Sequence, residues 1–254
     1  MKRLSSEERV KYFDYVILLL SNGFPNTWNT VTGHQFTAWG KCELCLPHVN
    51  FLIAQSKKYS LRASDSKKFA ELVLRCCWYA SLPPFLRMIA NIRNRYLYER
   101  EHYTEAERFM ETALEILAEK DTLMFASAIM LHGLIELDTN NVQTALDAFI
   151  AALRIREKML DADDALIASS LNAISLAYTE LGDLPKAIEA GQKAIDIRLR
   201  TKSDRIGNSY SNMSSTLLRM GKPDEAEETL KKCPSLKDFT DETFLNTGNP
   251  RFSG

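Results

Sequence analysis

Four alanines constrain this chain more than any other feature. Ala106, Ala145, Ala187 and Ala226 each open the second half of a two-helix pattern. Each is followed seven residues later by another small residue: Ala113, Ala152, Ala194 and Cys233. The anchors lie 39, 42 and 39 residues apart. Seven residues are about two helical turns, so the two small side chains of each pair share one stripe of a helix. Helices approach closely where their contact carries small side chains, and a fixed period means that the same close contact is built again and again. The stretch "AYTELGDLPKAIEAGQKAIDI" (177–197) shows the unit most clearly. Gly182 suits a left-handed helix end, as Gly221 does one repeat later, and Asp183 with Pro185 suits the turn and the start of the next helix. The predicted fold is all-α, made of stacked helix pairs.

Composition narrows the function. Of 254 residues, 45% are apolar and 26% charged, as in an ordinary globular protein, and the few Gly (10) and Pro (8) favour helices. The net charge of −1 leaves no basic surplus for phosphates, so nucleic acid is not an expected partner. The apolar run Val16–Leu20 is too short for a membrane span or a signal peptide, so it is expected in a buried amphipathic helix of a cytoplasmic protein that binds no membrane. Five cysteines, an odd number, argue for reduced thiols. Cys42, Cys45 and His48 would share one helix face, but no second pair completes a zinc set, and core thiols are the expectation.

These residues resemble the tetratricopeptide repeat. Ser175, Gly133 and Ser214 match the small eighth position of its first helix; Ala187 and Ala194, with their equivalents, match the twentieth and twenty-seventh. Leu171 and Tyr178 match the fourth and eleventh. The period near 40 resembles the kinesin-light-chain style of repeat, as does the linker-like "RIREKMLDADDALIASSLNAISLAY". Departures are Gly191 where an aromatic is usual, Glu136 for the tyrosine, and Pro234, which should shorten the last helix. The resemblance implies a right-handed α-solenoid. It divides the chain into an irregular N-terminal helical cap (1–64), a repeat array (65–236) and a polar tail (237–254).

Residues 24–61, through Trp39, Cys42, Leu44, Leu46, Pro47 and His48, resemble a segment of fungal STAND or NLR-like sensors that leads into such repeats. No GxxxxGK[ST] occurs, so the nucleotide-binding loop of those sensors is missing and NTP hydrolysis is not expected. The resemblance implies the middle of a longer solenoid, a shortened gene product or a stand-alone adaptor.

The stretch 79–95 is out of phase. With those seventeen residues removed, the text reads "RCCWYLYEREHYTEAE", one helix followed by a turn and its anchor. Two readings stand. In one, 66–82 and 85–100 are separate helices and the second opens the first repeat. In the other, 79–95 is a translated intron, a whole number of codons long. Pro83-Pro84 would break a first helix that ran through them.

No catalytic constellation occurs: no GxSxG, no HExxH, no Gly-rich loop. His132 is expected to pack beside Gly133, His102 to sit in a turn, and the acidic "DADDA" (161–165) to cap a helix. No cofactor or metal is expected. The resemblance implies a concave groove lined by first-helix positions two, five, nine, twelve and thirteen. Carried over, these are Ser127, Met130, Leu134, Leu137 and Asp138; then Ser169, Asn172, Leu176, Thr179 and Glu180; then Asn208, Ser211, Ser215, Leu218 and Arg219. This floor suits an extended peptide or a partner helix. Asn212 occupies one position of the clamp by which some relatives hold acidic chaperone tails, but Met130, Ser169 and Asn208 replace its cations. The expected function is a non-catalytic interaction module for a protein or peptide, with self-association left open by the apolar groove. The alternatives are a scaffold of a fungal biosynthetic pathway and a cryptic enzyme or allosteric subunit.

Overall fold

The computed structural model describes residues 5–25, 39–81 and 99–234, and among these it contains ten helices and no strand. The chain divides into two compact units, Met1–Thr139 and Asn140–Gly254. The boundary falls between the helix carrying Gly133 and the helix carrying Ala145, inside the expected array.

The first unit holds α1 (Ser6–Gly23), α2 (Trp39–Tyr59), α3 (Ser66–Ser81), α4 (Glu99–Ile116) and α5 (Leu123–Asp138). A capping box starts α1: the Glu8 amide donates to Ser5 Oγ at 3.1 Å, and the Ser5 amide to Glu8 Oε2 at 2.8 Å. Phe13 and Ile17 are the buried face of α1, with the Phe13 ring edge-on to Phe69 of α3 at 5.3 Å. Arg75 of α3 donates to the Ser21 and Phe24 carbonyls and so ties down the end of α1. The common core is carried by α3, where Phe69, Leu72, Val73, Cys76 and Cys77 are buried, and extends to Phe109 and Met110 of α4. Val16, Leu18 and Leu19 of α1 remain exposed, so the expectation of a buried helix holds for only one stripe of it.

The first repeat is assembled from α3 and α4. Cys77 donates its thiol to the carbonyl of the anchor Ala106 at 3.2 Å. α3 is thus a helix that meets the anchor, and the reading in which a helix over 85–100 opens the repeat falls almost wholly on residues outside the described ones. Residues 82–98 lie outside the described residues. His102 falls within α4 and not in a turn.

The second unit holds α6 (Val142–Met159), α7 (Ala165–Leu181), α8 (Leu184–Arg200), α9 (Ile206–Arg219) and α10 (Pro223–Lys231). The turns at Asp164, Gly182 and Gly221 are made as the sequence predicts. Asp164 caps α7 through the Leu166 amide, Gly182 ends it at φ 81°, and Gly221 follows α9 at φ 73°. The α7/α8 and α9/α10 pairs repeat one contact: Ser175 donates to the Ala187 carbonyl at 2.7 Å and Ser214 to the Ala226 carbonyl at 3.1 Å. A Cβ on Gly191 would lie 2.9 Å from Ser175 Oγ and 3.1 Å from Met213 Cε. Gly191 therefore departs from the usual aromatic because Ser175 and Met213 already fill that space. The last helix has nine residues against seventeen in α8, as Pro234 predicts.

Candidate protein-interaction face

The carried-over groove positions fall on α5 in the first unit and on α7 and α9 in the second. On α5, Ser127 and Met130 are buried, Leu134 and Leu137 half-buried, and Asp138 exposed at the helix end. Two of the five positions are therefore covered. The Asp138 carboxyl is nonetheless crowded enough by protein that loss of hydration raises its pKa.

In the second unit α7 and α9 lie side by side, and the carried-over residues trace their seam. Ser209 donates to Asn172 Oδ1 at 2.9 Å. The hydroxyls of Thr179 and Thr216 meet at 2.8 Å, both buried. Arg219 donates to the Thr179 carbonyl at 3.0 Å and pairs with Glu180 at 2.7 Å. Ser169, Asn172 and Leu176 are half-buried beside this seam. Asn208, Ser211, Ser215, Leu218 and Arg219 stand exposed on α9, Leu218 at 56%. Thr179 is thus a tie between helices, and Glu180 and Arg219 neutralise one another.

The chemistry of this face is that of contact. Its ionisable groups in the second unit are the one ion pair, and the rest are hydroxyls, amides and leucines. No base lies beside a nucleophile to activate it. His132, away from these positions, is half-buried on α5 with Nε2 3.1 Å from Glu136. Of the CxxC segment, Cys42 is buried, Cys45 half-buried and His48 exposed, and among the described residues no three His, Cys, Asp or Glu side chains are placed to hold a metal.

Two arginines that hold the helices of this face in place escaped the sequence reading. Arg156 of α6 donates to the Leu166 carbonyl at 3.0 Å and Ser170 Oγ at 2.7 Å. Arg198 of α8 donates to the Arg205 carbonyl at 2.8 Å and Ser209 Oγ at 2.8 Å. Both are buried, and loss of hydration pulls both guanidinium pKa values down to about 10, so each stays charged at neutral pH. Each stands eleven residues past its alanine anchor and fixes the following first helix. That common offset was the signal in the sequence.

Profiles of the tetratricopeptide repeat match residues 125–200 and 207–238. These segments are tetratricopeptide repeats, and the helix pairs around them have that repeat's all-α fold. Among solved structures, a Podosopora anserina protein of kinesin light chain nearly identical TPR-like repeats superposes with a TM-score of 0.60 at 14% identity, over 94% of this chain and 99% of that one. BtubC (BKLC) from P. vanneervenii gives 0.51 at 16% identity, over 99% and 97%. The apo form of RapI gives 0.58 at 15% identity, over 83% of this chain and 55% of that one. At such identities the likeness is one of fold. No curated protein matches the sequence. Among the described residues no helix is long and apolar enough to cross a membrane.

Proposed function

We propose that this chain is a non-catalytic scaffold that seats a peptide or partner helix on the first-helix face of its repeats. The observation that carries this reading is α9: five of its carried-over positions, Leu218 among them, stand exposed beside the half-buried Leu176, on a seam whose charges are already paired. Such a surface gives an apolar segment two leucines to cover and hydroxyls to meet its backbone, without the cost of desolvating an unpaired charge. Tetratricopeptide repeats serve protein–protein contact, which agrees with this chemistry. The sensor-like segment at 39–48 supports descent from an NLR-like protein whose repeats perceive a partner.

The test is capture of partners by the full chain beside a variant with Leu134, Leu176 and Leu218 each changed to Glu. A partner held by the wild-type chain and lost from an equally helical variant supports the reading. A partner held equally by both sinks it.

A further inference from the structure

The cap helices α1 and α2 carry a second docking surface. Of the large apolar side chains left exposed among the described residues, Tyr12, Tyr15, Val16, Leu18, Leu19, Leu44, Phe51 and Tyr59 are all on these two helices, while four are spread over the rest. Tyr12, Val16 and Leu19 recur at helical spacing on α1, and Leu44, Phe51 and Tyr59 do so on α2. Between Tyr12 and Val16 on one side and Phe51 and Tyr59 on the other runs a groove of about 490 Å³, with Phe13 and Leu52 as its floor. Soluble proteins rarely leave so contiguous an apolar face bare.

The charges of the groove are one-sided. Arg9 lies at one end, its guanidinium 4.8 Å above the Tyr59 ring, and His48 lines the wall; no carboxylate lines the groove. The nearby acids of α1 are turned elsewhere: Glu8 closes the capping box and Asp14 accepts from Ser64. A second copy of this face would therefore bring Arg9 no counter-charge. We propose that the groove seats an amphipathic helix from another protein, with apolar side chains at i, i+4 and i+7 and a carboxylate at the end beside Arg9. From Arg9 to Val16 the groove spans about 10 Å at 1.5 Å per residue, so the occupant needs about two helical turns.

The probe is a labelled synthetic amphipathic helix with leucines at that spacing and Glu at one end, compared by fluorescence anisotropy with a twin carrying Lys there. The full chain binds the Glu peptide at least tenfold more tightly. Arg9→Glu reverses the preference, and Phe51→Glu abolishes both complexes at unchanged helicity. The Leu134, Leu176 and Leu218 variant keeps the interaction, which separates this surface from the repeat face. Equal binding of the twins, or binding indifferent to Phe51→Glu, overturns the proposal. So does a stoichiometric dimer that Phe51→Glu dissociates, because a second copy would then be the occupant.

A separate contact points to a seventeen-residue insertion in the first repeat. Ser175 and Ser214 each reach the carbonyl of an anchor alanine 12 residues on; Cys77 makes the same bond to an anchor 29 residues on, and 29 − 12 is 17. The out-of-phase stretch 79–95 has the same length and lies inside that interval. The stretch overlaps the end of α3, where Tyr79 and Ala80 are buried; without it the sequence places Tyr96 and Leu97 directly after Trp78, so α3 would run on into α4 with apolar residues in those places. A chain lacking 79–95 keeps its helicity, melts no lower than the full chain, and leaves Cys77 protected from iodoacetamide. Loss of helicity, or a Cys77 opened to alkylation, overturns the inference.

Discussion

Arg156 and Arg198 show how one side chain can join two repeats. Each donates to a backbone carbonyl and to a serine hydroxyl of the following first helix, and the Asp164 carboxylate acts on Arg156 as well. The first repeat solves the same problem without charge. Leu117, at the equivalent offset from Ala106, and Ala128, at the serine's position, are both buried in one core cluster. Arg156→Ala should therefore cost about 3 kcal/mol, because it opens a cavity and removes the charged donor from the Leu166 carbonyl and Ser170 Oγ. Arg156→Leu with Ser170→Ala should recover most of that loss, and a double-mutant cycle in urea measures the coupling. Additive losses would show that the arginine acts alone. Gly191 gives a second test, because the sign of its effect is informative. In an open helix Gly→Ala gains about 1 kcal/mol. Here the new methyl meets Ser175 Oγ, which its bond to Ala187 holds in place, so Gly191→Ala should cost about 1–3 kcal/mol and Ser175→Gly should relieve it. A stabilised single variant would refute the close contact. Thiol chemistry follows the same burial. Cys42, Cys76, Cys77 and Cys233 are buried and burial raises the Cys76 and Cys77 pKa values, so Cys45 alone should react quickly at pH 8 in the folded chain.

At the level of the helix, legibility followed the local character of the signal. The caps at Asp164 and Gly182, the shortened α10 and the anchors at 106, 145, 187 and 226 were all readable, because each depends on residues within a turn or two. The opening helix of the first repeat was not settled by sequence, because the partner of Ala106 is 29 residues away and only the Cys77 bond identifies it. The candidate face was legible in register but not in depth. Leu218 is exposed, whereas Ser127, Met130 and Thr179 are covered by neighbours that their own helices do not name. Cys77 is the element-scale test of the assignment. Since Ser175 and Ser214 do its work elsewhere, Cys77→Ser should be tolerated within about 1 kcal/mol, while Cys77→Val should cost more, because the Ala106 carbonyl loses its second donor. Thermal melts of the two variants decide it, and equal costs would mean that the thiol fills space without bonding. A transcript lacking the codons for 79–95 would further mark them as a translated intron.

For the whole molecule, charge and exposed apolar surface act together. The formal charge is −1 at pH 7 and the isoelectric point about 6.5, so repulsion between copies vanishes close to neutrality. That loss matters because the apolar face of α1 and α2 is bare. Further into acid a different balance fails. Hydrogen bonds from Arg200, Lys186, Lys193 and Lys231 hold the Asp163, Asp183, Glu189 and Glu227 carboxyls below their ordinary values. A carboxylate depressed on folding stabilises the fold above its unfolded pKa, near 4, and that contribution disappears as pH falls through the lower folded value. Weak attraction should therefore peak near pH 6.5, where the fold is intact, and not in the acid range where the ion pairs are lost. Static light scattering should give its lowest second virial coefficient near pH 6.5 and a higher one at pH 8. Phe51→Glu, which adds a charge to the centre of the apolar face, should raise the value and move the minimum slightly to acid. If the variant shows the same minimum with the same depth, attraction arises elsewhere on the surface, and the cap face contributes nothing to how copies of this protein meet.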